Sequence, residues 1–191
     1  PVADPARADC AIFYSITNCQ EGLRGVSFGN LLIKQVAEAL GREFPRLKTF
    51  ATLSPVPGFR AWLAKQSAAD PALATAVAPL QDANWHRDAA RADALREPLM
   101  RLCAHYLVNA RKDNAPLDAV ARFHLGNGAR LERLNWLADL STAGMQRATG
   151  MMVNYVYRLD EVEDNHEAFV RDGVIAASHA IKKLAREGEA R

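Results

Sequence analysis

The sequence predicts an α/β (α+β) domain whose sheet is flanked by helices and carries a helical insertion. Three observations predict this class. A strand, a glycine-containing loop, a helix and a second strand follow one another over residues 10–54. Residues 60–112 are rich in alanine and have a helical pattern. A third strand, 151–159, precedes an amphipathic segment at the end of the chain. With 191 residues, the chain can form one domain around its own hydrophobic core.

The first two strands should be parallel neighbours. Residues 10–17 combine aromatic and β-branched types and are apolar on both faces, which is typical of a central strand. Residues 47–54 form the second strand. A glycine loop and a helix connect the two strands, and this is the connection that parallel strands require.

The connecting helix is predicted from Asn30 to about Glu43. Leu32, Val36 and Leu40 recur every four residues, so they should share one apolar face.

Prolines mark the predicted helix boundaries further along the chain. Pro71, Pro79 and Pro98 should divide the alanine-rich stretch into separate helices. Pro116 suits the first turn of a helix that ends near Leu125.

The end of the chain is predicted to be one amphipathic helix. Its apolar stripe consists of Val170, Val174, Ala177, Ile181 and Leu184.

Charge, cysteine usage and hydropathy exclude several classes of protein. A net charge of +2 is too small for a nucleic-acid-binding domain, and basic residues alternate with acidic ones. Three cysteines without a CxxC pair indicate free thiols in a reducing compartment. No signal peptide is visible, no apolar run approaches the ~18 residues of a membrane helix, and no histidine spacing indicates a metal site. The alanine- and arginine-rich composition suits a bacterial cytoplasm.

The loop after the first strand is a candidate phosphate site. It carries Gly22, Gly25 and Gly29 and leads into a helix start, where unpaired backbone N–H groups attract anions. Arg24 could add a charge-assisted contact. The loop resembles the pyrophosphate loop of acetyltransferase-like folds, which bind coenzyme A. The glycine spacing is not that of a dinucleotide fingerprint, and an ordinary βα turn explains it equally well.

Four side chains are candidates for chemistry. Ser54 ends the second strand, where open α/β sheets bind ligands, although from the residues alone a cap for the next helix is the favoured interpretation. His124 lies in an apolar context at a helix end, where a core histidine is the simpler interpretation. Tyr155 and Tyr157 face the same side of the third strand and should pack in the core, with hydroxyls reaching water or a partner.

Taken together, these segments resemble the malonyl-CoA decarboxylase family in order and spacing. The resemblance runs from about Ala11 to the last helix, and only residues 64–95 match poorly. The most specific motifs are LSPVPGF at 53–59 and FHLGNGA at 123–129. The other matching segments are 12–16, 22–29, 32–34, 42–45, 98–104, 135–139 and 154–157.

The resemblance implies the fold and organisation of that family. Residues 1–191 would be part of a C-terminal catalytic domain with an acetyltransferase-like (GNAT) mixed sheet and a helical insertion at about 60–112. The family's N-terminal helical domain and the earlier strands of its catalytic domain would be absent. The family also implies a homo-oligomer, a tetramer, located in the bacterial cytoplasm or, in eukaryotes, in the mitochondrial matrix.

The resemblance also implies an activity in fatty acid metabolism. The enzyme would be a carboxy-lyase that converts malonyl-CoA to acetyl-CoA and CO2, without a cofactor, because coenzyme A is part of the substrate. Ser54 and His124 would be the catalytic pair, and Tyr157 a further active-site residue. The stretch that binds coenzyme A would consist of Arg24, Gly25, Val26, Ser27, Phe28, Gly29 and Asn30.

Some steps and alternatives stay open at the level of sequence. The Ser54 hydroxyl would contact the reacting end of malonyl-CoA, and His124 would either protonate the enolate carbon or relay a proton through Ser54. Tyr157 would add a hydrogen bond to the carboxylate or to the oxyanion. Ser27 replaces a glutamate found in some family members. A CoA-dependent acyltransferase of the acetyltransferase type and a catalytically silent acyl-CoA-binding module are the alternatives.

Overall fold

The computed structural model describes residues 4–14 and 29–189, with side chains of the first helix described from residue 32 onward. Within these residues the strands are β1 (Cys10–Phe13), β2 (Thr49–Thr52), β3 (Ser54–Pro55), β4 (Arg111–Lys112), β5 (Ala115–Pro116), β6 (Arg130–Asn135) and β7 (Met152–Tyr157). The helices are α1 (Gly29–Glu43), α2 (Phe59–Ala69), α3 (Pro71–Val77), α4 (Ala89–Asn109), α5 (Ala119–Gly126), α6 (Thr142–Ala148), α7 (Val162–Asp172) and α8 (His179–Glu189).

Strand β7 lies in the middle of a five-stranded sheet. One of its edges pairs with β2 and then β3, and the other pairs with β6, all antiparallel. Strands β1 and β2 are parallel, as predicted. The sheet is therefore mixed. Val153, Tyr155 and Tyr157 share one face of β7 and are all buried, so this face lines the core beside the candidate site.

The prediction that the first strand is central is wrong for the described sheet. β1 pairs only with β2 among the described strands and forms one edge of the sheet. Ile12 is 47% exposed and Tyr14 75% exposed, whereas Ala11 and Phe13 are half-buried against the core. Apolar residues allow a strand to be buried, but they do not determine whether other elements cover both of its faces.

The second strand is interrupted, which the sequence did not predict. β2 ends at Thr52, and β3 begins at Ser54. At this interruption, side chains take over hydrogen bonds with β7. The Tyr155 backbone N–H donates to Thr52 Oγ1 over 3.1 Å, and Asn154 Nδ2 donates to the Thr52 carbonyl over 2.6 Å. Thr52 is completely buried, so these bonds fix the backbone directly before Ser54.

Helix α1 confirms the predicted segment but buries a different face. Ile33 and Ala37 are buried, whereas Leu32 is 57% exposed and Val36 37% exposed. The buried residues of α1 therefore lie one position after the predicted Leu32 and Val36. Gly41 also lies on this side, where a Cβ would make an ordinary contact 3.6 Å from the Phe50 ring.

The helical stretch between β3 and β4 is present, but one predicted break is wrong. Pro71 occupies the first turn of α3, and the Asp70 carboxylate caps that helix. Pro98 lies inside α4, which continues to Asn109. A mid-helix proline removes one hydrogen bond, and here the loss is offset by the packing of α4 against α8.

The predicted single helix at the end of the chain is in fact two helices. Gly173 has φ of 64° and ends α7, and α8 begins at His179. Val170 and Val174 are exposed, whereas Ala177 and Ile181 are buried. The chain between the helices runs beside β6 instead, where the Leu131 N–H donates to the Ala176 carbonyl over 2.9 Å. The apolar residues keep a helical spacing in the sequence on both sides of Gly173, although the helix itself ends there.

Gly173→Ala is expected to destabilise the fold by about 1–2 kcal/mol, because an L-residue is strained at this left-handed φ. The new Cβ would also lie 3.0 Å from the Asn114 carbonyl oxygen. Gly41→Ala is the matched control and should raise stability by about 0.5–1 kcal/mol, because it lies inside a helix with ordinary contacts. Urea unfolding of both variants measures the difference. Equal or opposite shifts would contradict the role of Gly173.

No helix in the described ranges has the length and apolar character needed to span a membrane. Within the same residues, no group of three or more His, Cys, Asp or Glu side chains is arranged to hold a metal ion. Cys10 is an exposed free thiol and Cys103 a buried one. Cys19 lies outside the described residues.

Candidate active site

Ser54 lies at the centre of a buried hydrogen-bonded cluster. Its side chain is 4% exposed, and its Oγ lies 3.1 Å from His124 Nε2 and donates to Thr52 Oγ1 over 2.9 Å. The alternative that Ser54 caps the next helix is wrong, because Gly58 precedes α2 and no side chain caps that helix. The pairing of β3 with β7 and the following prolines hold the hydroxyl in place.

His124 reaches Ser54 from helix α5. This helix begins at Ala119, and Asp118 is its N-cap, with Oδ1 accepting from the Val120 and Ala121 N–H groups over 3.0 Å each. The prediction that Pro116 starts this helix is wrong, since Pro116 belongs to β5. An aspartate directly before an apolar helical run is a recognised start signal, and it could have located this boundary from sequence.

The imidazole of His124 is held on both nitrogens. Its Nδ1 lies 2.8 Å from the Tyr157 hydroxyl, and its Nε2 faces Ser54. The Tyr155 ring stacks on it, with ring centroids 4.5 Å apart and planes 24° apart. His124 is 2% exposed, and burial lowers its pKa to about 4, so the ring is neutral at pH 7.

The two tyrosines of β7 share a face, as predicted, but their hydroxyls differ. The Tyr157 hydroxyl has His124 as its partner. The Tyr155 hydroxyl is buried and has no hydrogen-bond partner among the described residues. Burial raises the pKa of both phenols, which keeps both protonated at neutral pH.

Asp118 links the histidine helix to the serine segment. Its Oδ2 accepts from the Gly58 N–H over 3.4 Å and from the Tyr106 hydroxyl over 3.3 Å. Gly58 follows the Ser54 segment by four positions, so one carboxylate contacts both elements. Asp118 is 1% exposed, and burial raises the pKa of its carboxyl above the usual value.

The predicted CoA-binding stretch lies almost entirely outside the described residues. Arg24, Gly25, Val26, Ser27 and Phe28 belong to the part of the chain that the structure does not describe. Gly29 and Asn30 are described only as the first residues of α1. The helix start that the phosphate hypothesis needs is therefore present, and the contacts of this stretch stay a prediction.

The structure brings together Ser54, His124 and Tyr157, the three residues that the family resemblance implies. Thr52 and Asp118, which fix the backbone and the helix around them, were not predicted. The arrangement joins a hydroxyl, a neutral imidazole and a phenol in a site shielded from water. Such a chain can donate hydrogen bonds to a developing negative charge and can move a proton.

Comparison with known proteins places this site in context. Residues 1–191 match the family model of the malonyl-CoA decarboxylase C-terminal domain. A rat mitochondrial malonyl-CoA decarboxylase is 39% identical over an alignment of 202 positions, which covers 93% of this chain and 41% of the rat protein. The corresponding goose protein (Anser anser anser) is 36% identical, covering 93% and 40% of the two chains. This chain thus spans about two fifths of the length of these relatives.

Solved structures of malonyl-CoA decarboxylases have the same fold. The protein from Rhodopseudomonas palustris is 50% identical with a TM-score of 0.87, covering 94% of this chain and 43% of that one. The protein from Agrobacterium vitis is 53% identical with a TM-score of 0.86, covering 93% and 46%. These likenesses confirm the acetyltransferase-like (GNAT) fold class predicted from sequence.

Proposed function

Because the chain belongs to the malonyl-CoA decarboxylase family, we propose that this protein converts malonyl-CoA to acetyl-CoA and CO2. The observation that carries the proposal is the buried contact between Ser54 Oγ and His124 Nε2 at 3.1 Å, with Tyr157 on the other imidazole nitrogen. These three side chains come from separate elements, and a core histidine would not need a serine and a tyrosine in these positions.

The first chemical task is to stabilise an enolate. When the bond between the α-carbon and the carboxylate breaks, its electron pair moves onto the thioester carbonyl and CO2 leaves. The thioester is the electron sink, so no organic cofactor is required. We assign Ser54 to donate a hydrogen bond to the thioester oxygen, and a placed donor of this kind contributes about 3–4 kcal/mol to transition-state stabilisation.

The second task is to form a C–H bond at the enolate carbon. We assign His124 to this proton transfer. A positioned general acid or base typically increases the reaction rate about 10²–10⁴-fold. The proton would pass from His124 to the carbon directly or through Ser54. Tyr157 hydrogen-bonds to the imidazole and holds the ring in position. One proton from solvent is consumed in each turnover.

We place coenzyme A on the stretch from Arg24 to Asn30. Backbone N–H groups at the start of α1 would receive the pyrophosphate, and Arg24 would add positive charge. Ser27, where some family members have glutamate, leaves this stretch without a carboxylate, so the catalytic role falls to the Ser54 and His124 pair. The protein would be a homo-oligomer, as the family resemblance implies. Its identities of 50% and 53% to the proteins from Rhodopseudomonas palustris and Agrobacterium vitis favour a bacterial, cytoplasmic location over a mitochondrial one.

The full-length protein incubated with malonyl-CoA alone should release acetyl-CoA and CO2, with His124→Gln as the inactive control. Liquid chromatography of the CoA esters measures the products. The predicted result separates three functions. Free CoA that appears only after an amine acceptor is added would indicate an acyltransferase. Unchanged malonyl-CoA that nevertheless binds would indicate a silent acyl-CoA-binding module, and either result would contradict the proposal.

A further inference from the structure

Among the described residues, the buried Asn127 amide nitrogen has no hydrogen-bond partner. The residue is 4% exposed, and its Nδ2 meets no acceptor in hydrogen-bond geometry within the described chain. A buried amide N–H without an acceptor is destabilising. Asn127 lies three positions after His124, in the FHLGNGA motif. Such a donor calls for an explanation.

Hydrogen bonds hold the backbone of Asn127 and of the residues directly before and after it. Its backbone N–H donates to the carbonyls of Phe123 and His124 over 3.2 and 3.1 Å, as the C-cap of α5. Helix α7 clamps the residues on either side of it. His166 Nδ1 lies 2.6 Å from the Gly126 carbonyl oxygen, and Asn165 Nδ2 donates to the Gly128 carbonyl over 3.2 Å.

The Tyr157 hydroxyl is the group beside this amide. Burial raises the pKa of the phenol, and the neighbouring Asn127 side chain lowers it in part. The same oxygen lies 2.8 Å from His124 Nδ1. Tyr157 is 3% exposed, so its single proton also needs an acceptor inside the protein.

We propose that Asn127 is a positioning residue whose amide donates to the Tyr157 oxygen and thereby sets the tautomer of His124. With an N–H group facing its oxygen, Tyr157 can satisfy its own proton only by donating to His124 Nδ1. The imidazole then carries its proton on Nε2 and donates to Ser54 Oγ.

The contacts of Ser54 agree with donation from Tyr157 to His124 and from His124 to Ser54. Ser54 Oγ lies 2.9 Å from Thr52 Oγ1 and donates to it, and the Tyr155 N–H points at the same Thr52 oxygen. The hydroxyl proton of Tyr157, the Nε2 proton of His124 and the hydroxyl proton of Ser54 therefore each have an acceptor. The opposite tautomer would place the Nδ1 proton against Tyr157 and leave the tyrosine proton facing the Asn127 N–H group.

The consequence for catalysis rests on the proposed function. An imidazole with its proton on Nε2 is a donor to Ser54, not a base toward it. As the Ser54 proton forms the C–H bond with the enolate electron pair, the serine oxygen takes the Nε2 proton. His124 Nδ1 then takes the hydroxyl proton of Tyr157, and a proton from water replaces it on the Tyr157 oxygen. A surface cavity of about 200 Å³, lined by Asn127 and residues of α7, brings solvent close to this end of the chain.

The test is Asn127→Asp in the full-length protein, observed at pH 8 by NMR of ¹⁵N-labelled histidine. The His124 signals are assigned as those that disappear in His124→Gln. Aspartate keeps the shape of asparagine, but its carboxylate only accepts hydrogen bonds. Tyr157 should then donate to the carboxylate, and His124 should move its proton from Nε2 to Nδ1. Turnover should fall about tenfold or more, while the dissociation constant of CoA stays unchanged.

Two further variants make the result decisive. Asn127→Leu removes all polarity at similar size and should give a mixture of both tautomers. Asn109→Asp, an equivalent change at the exposed end of α4, should leave the His124 tautomer and turnover unaltered. A wild-type protein with the proton on Nδ1, or an Asn127→Asp protein with an unmoved tautomer, would overturn the inference even if turnover fell. If the tautomer moves in a protein without decarboxylase activity, the proposed function fails and the tautomer assignment holds.

Discussion

Ser54→Ala is expected to lower the turnover of malonyl-CoA by about 10²–10³, because it removes the donor aimed at the developing enolate oxygen. The phosphates and adenosine of the substrate would be held elsewhere, on the stretch that leads into α1. The dissociation constant of CoA should therefore change less than twofold. His124 and Thr52 stay in place in this variant and lose only one partner each.

Turnover is followed as acetyl-CoA formed, and binding as the affinity for CoA. Ser67→Ala is the matched control, since that hydroxyl bonds only to the Ala64 carbonyl of its own helix. Ser67→Ala should retain full activity. If Ser54→Ala turns over malonyl-CoA at a near-normal rate, Ser54 has no part in the reaction.

His124 is expected to make the fold sensitive to acid. In the folded protein its pKa is about 4, whereas in the unfolded chain it is the ordinary 6.5. Between these pH values the unfolded state binds the extra proton, so acid favours unfolding. The stability contributed by the neutral ring is fully present above pH 6.5 and declines as the pH falls toward 4. The shift corresponds to a loss of about 3 kcal/mol in the free energy of unfolding.

Urea unfolding at several pH values between 4 and 7 measures this loss, with His124→Gln as the comparison. Asp118 acts in the opposite direction, because its raised pKa means that its contribution declines as the pH rises. Asp118 is common to both proteins, so the difference between their pH profiles isolates His124. Parallel profiles for the two proteins would contradict a buried, neutral imidazole.

The sequence predicted those parts of the fold that depend on local patterns. The first parallel pair, helix α1 and strand β7 each follow from periodicity and from glycine or proline boundaries. Features set by distant neighbours were not predictable. Whether β1 is central, or which stripe of α1 is buried, depends on elements that pack from elsewhere in the chain.

In the candidate site, too, local patterns predict some features, whereas contacts between distant residues are not predictable from them. Ser54 and His124 lie 70 positions apart, and no local pattern states that they meet. Their pairing came from resemblance to a family, and the residues alone left a helix cap and a core histidine as alternatives. Tyr157 reaches them because the register pairs it with Phe50 on β2. Asp118 could have been found as a helix start, whereas Thr52 depends on the interruption of a strand.

At that interruption, one oxygen belongs to both the scaffold and the site. Thr52 Oγ1 receives the Tyr155 peptide N–H in place of a peptide carbonyl and also receives the Ser54 hydroxyl. Opening of the β2–β7 pair at Tyr155 would therefore also disturb the oxygen to which Ser54 donates. We expect the rate at which the Tyr155 amide proton exchanges with deuterium to report how often this shared contact opens.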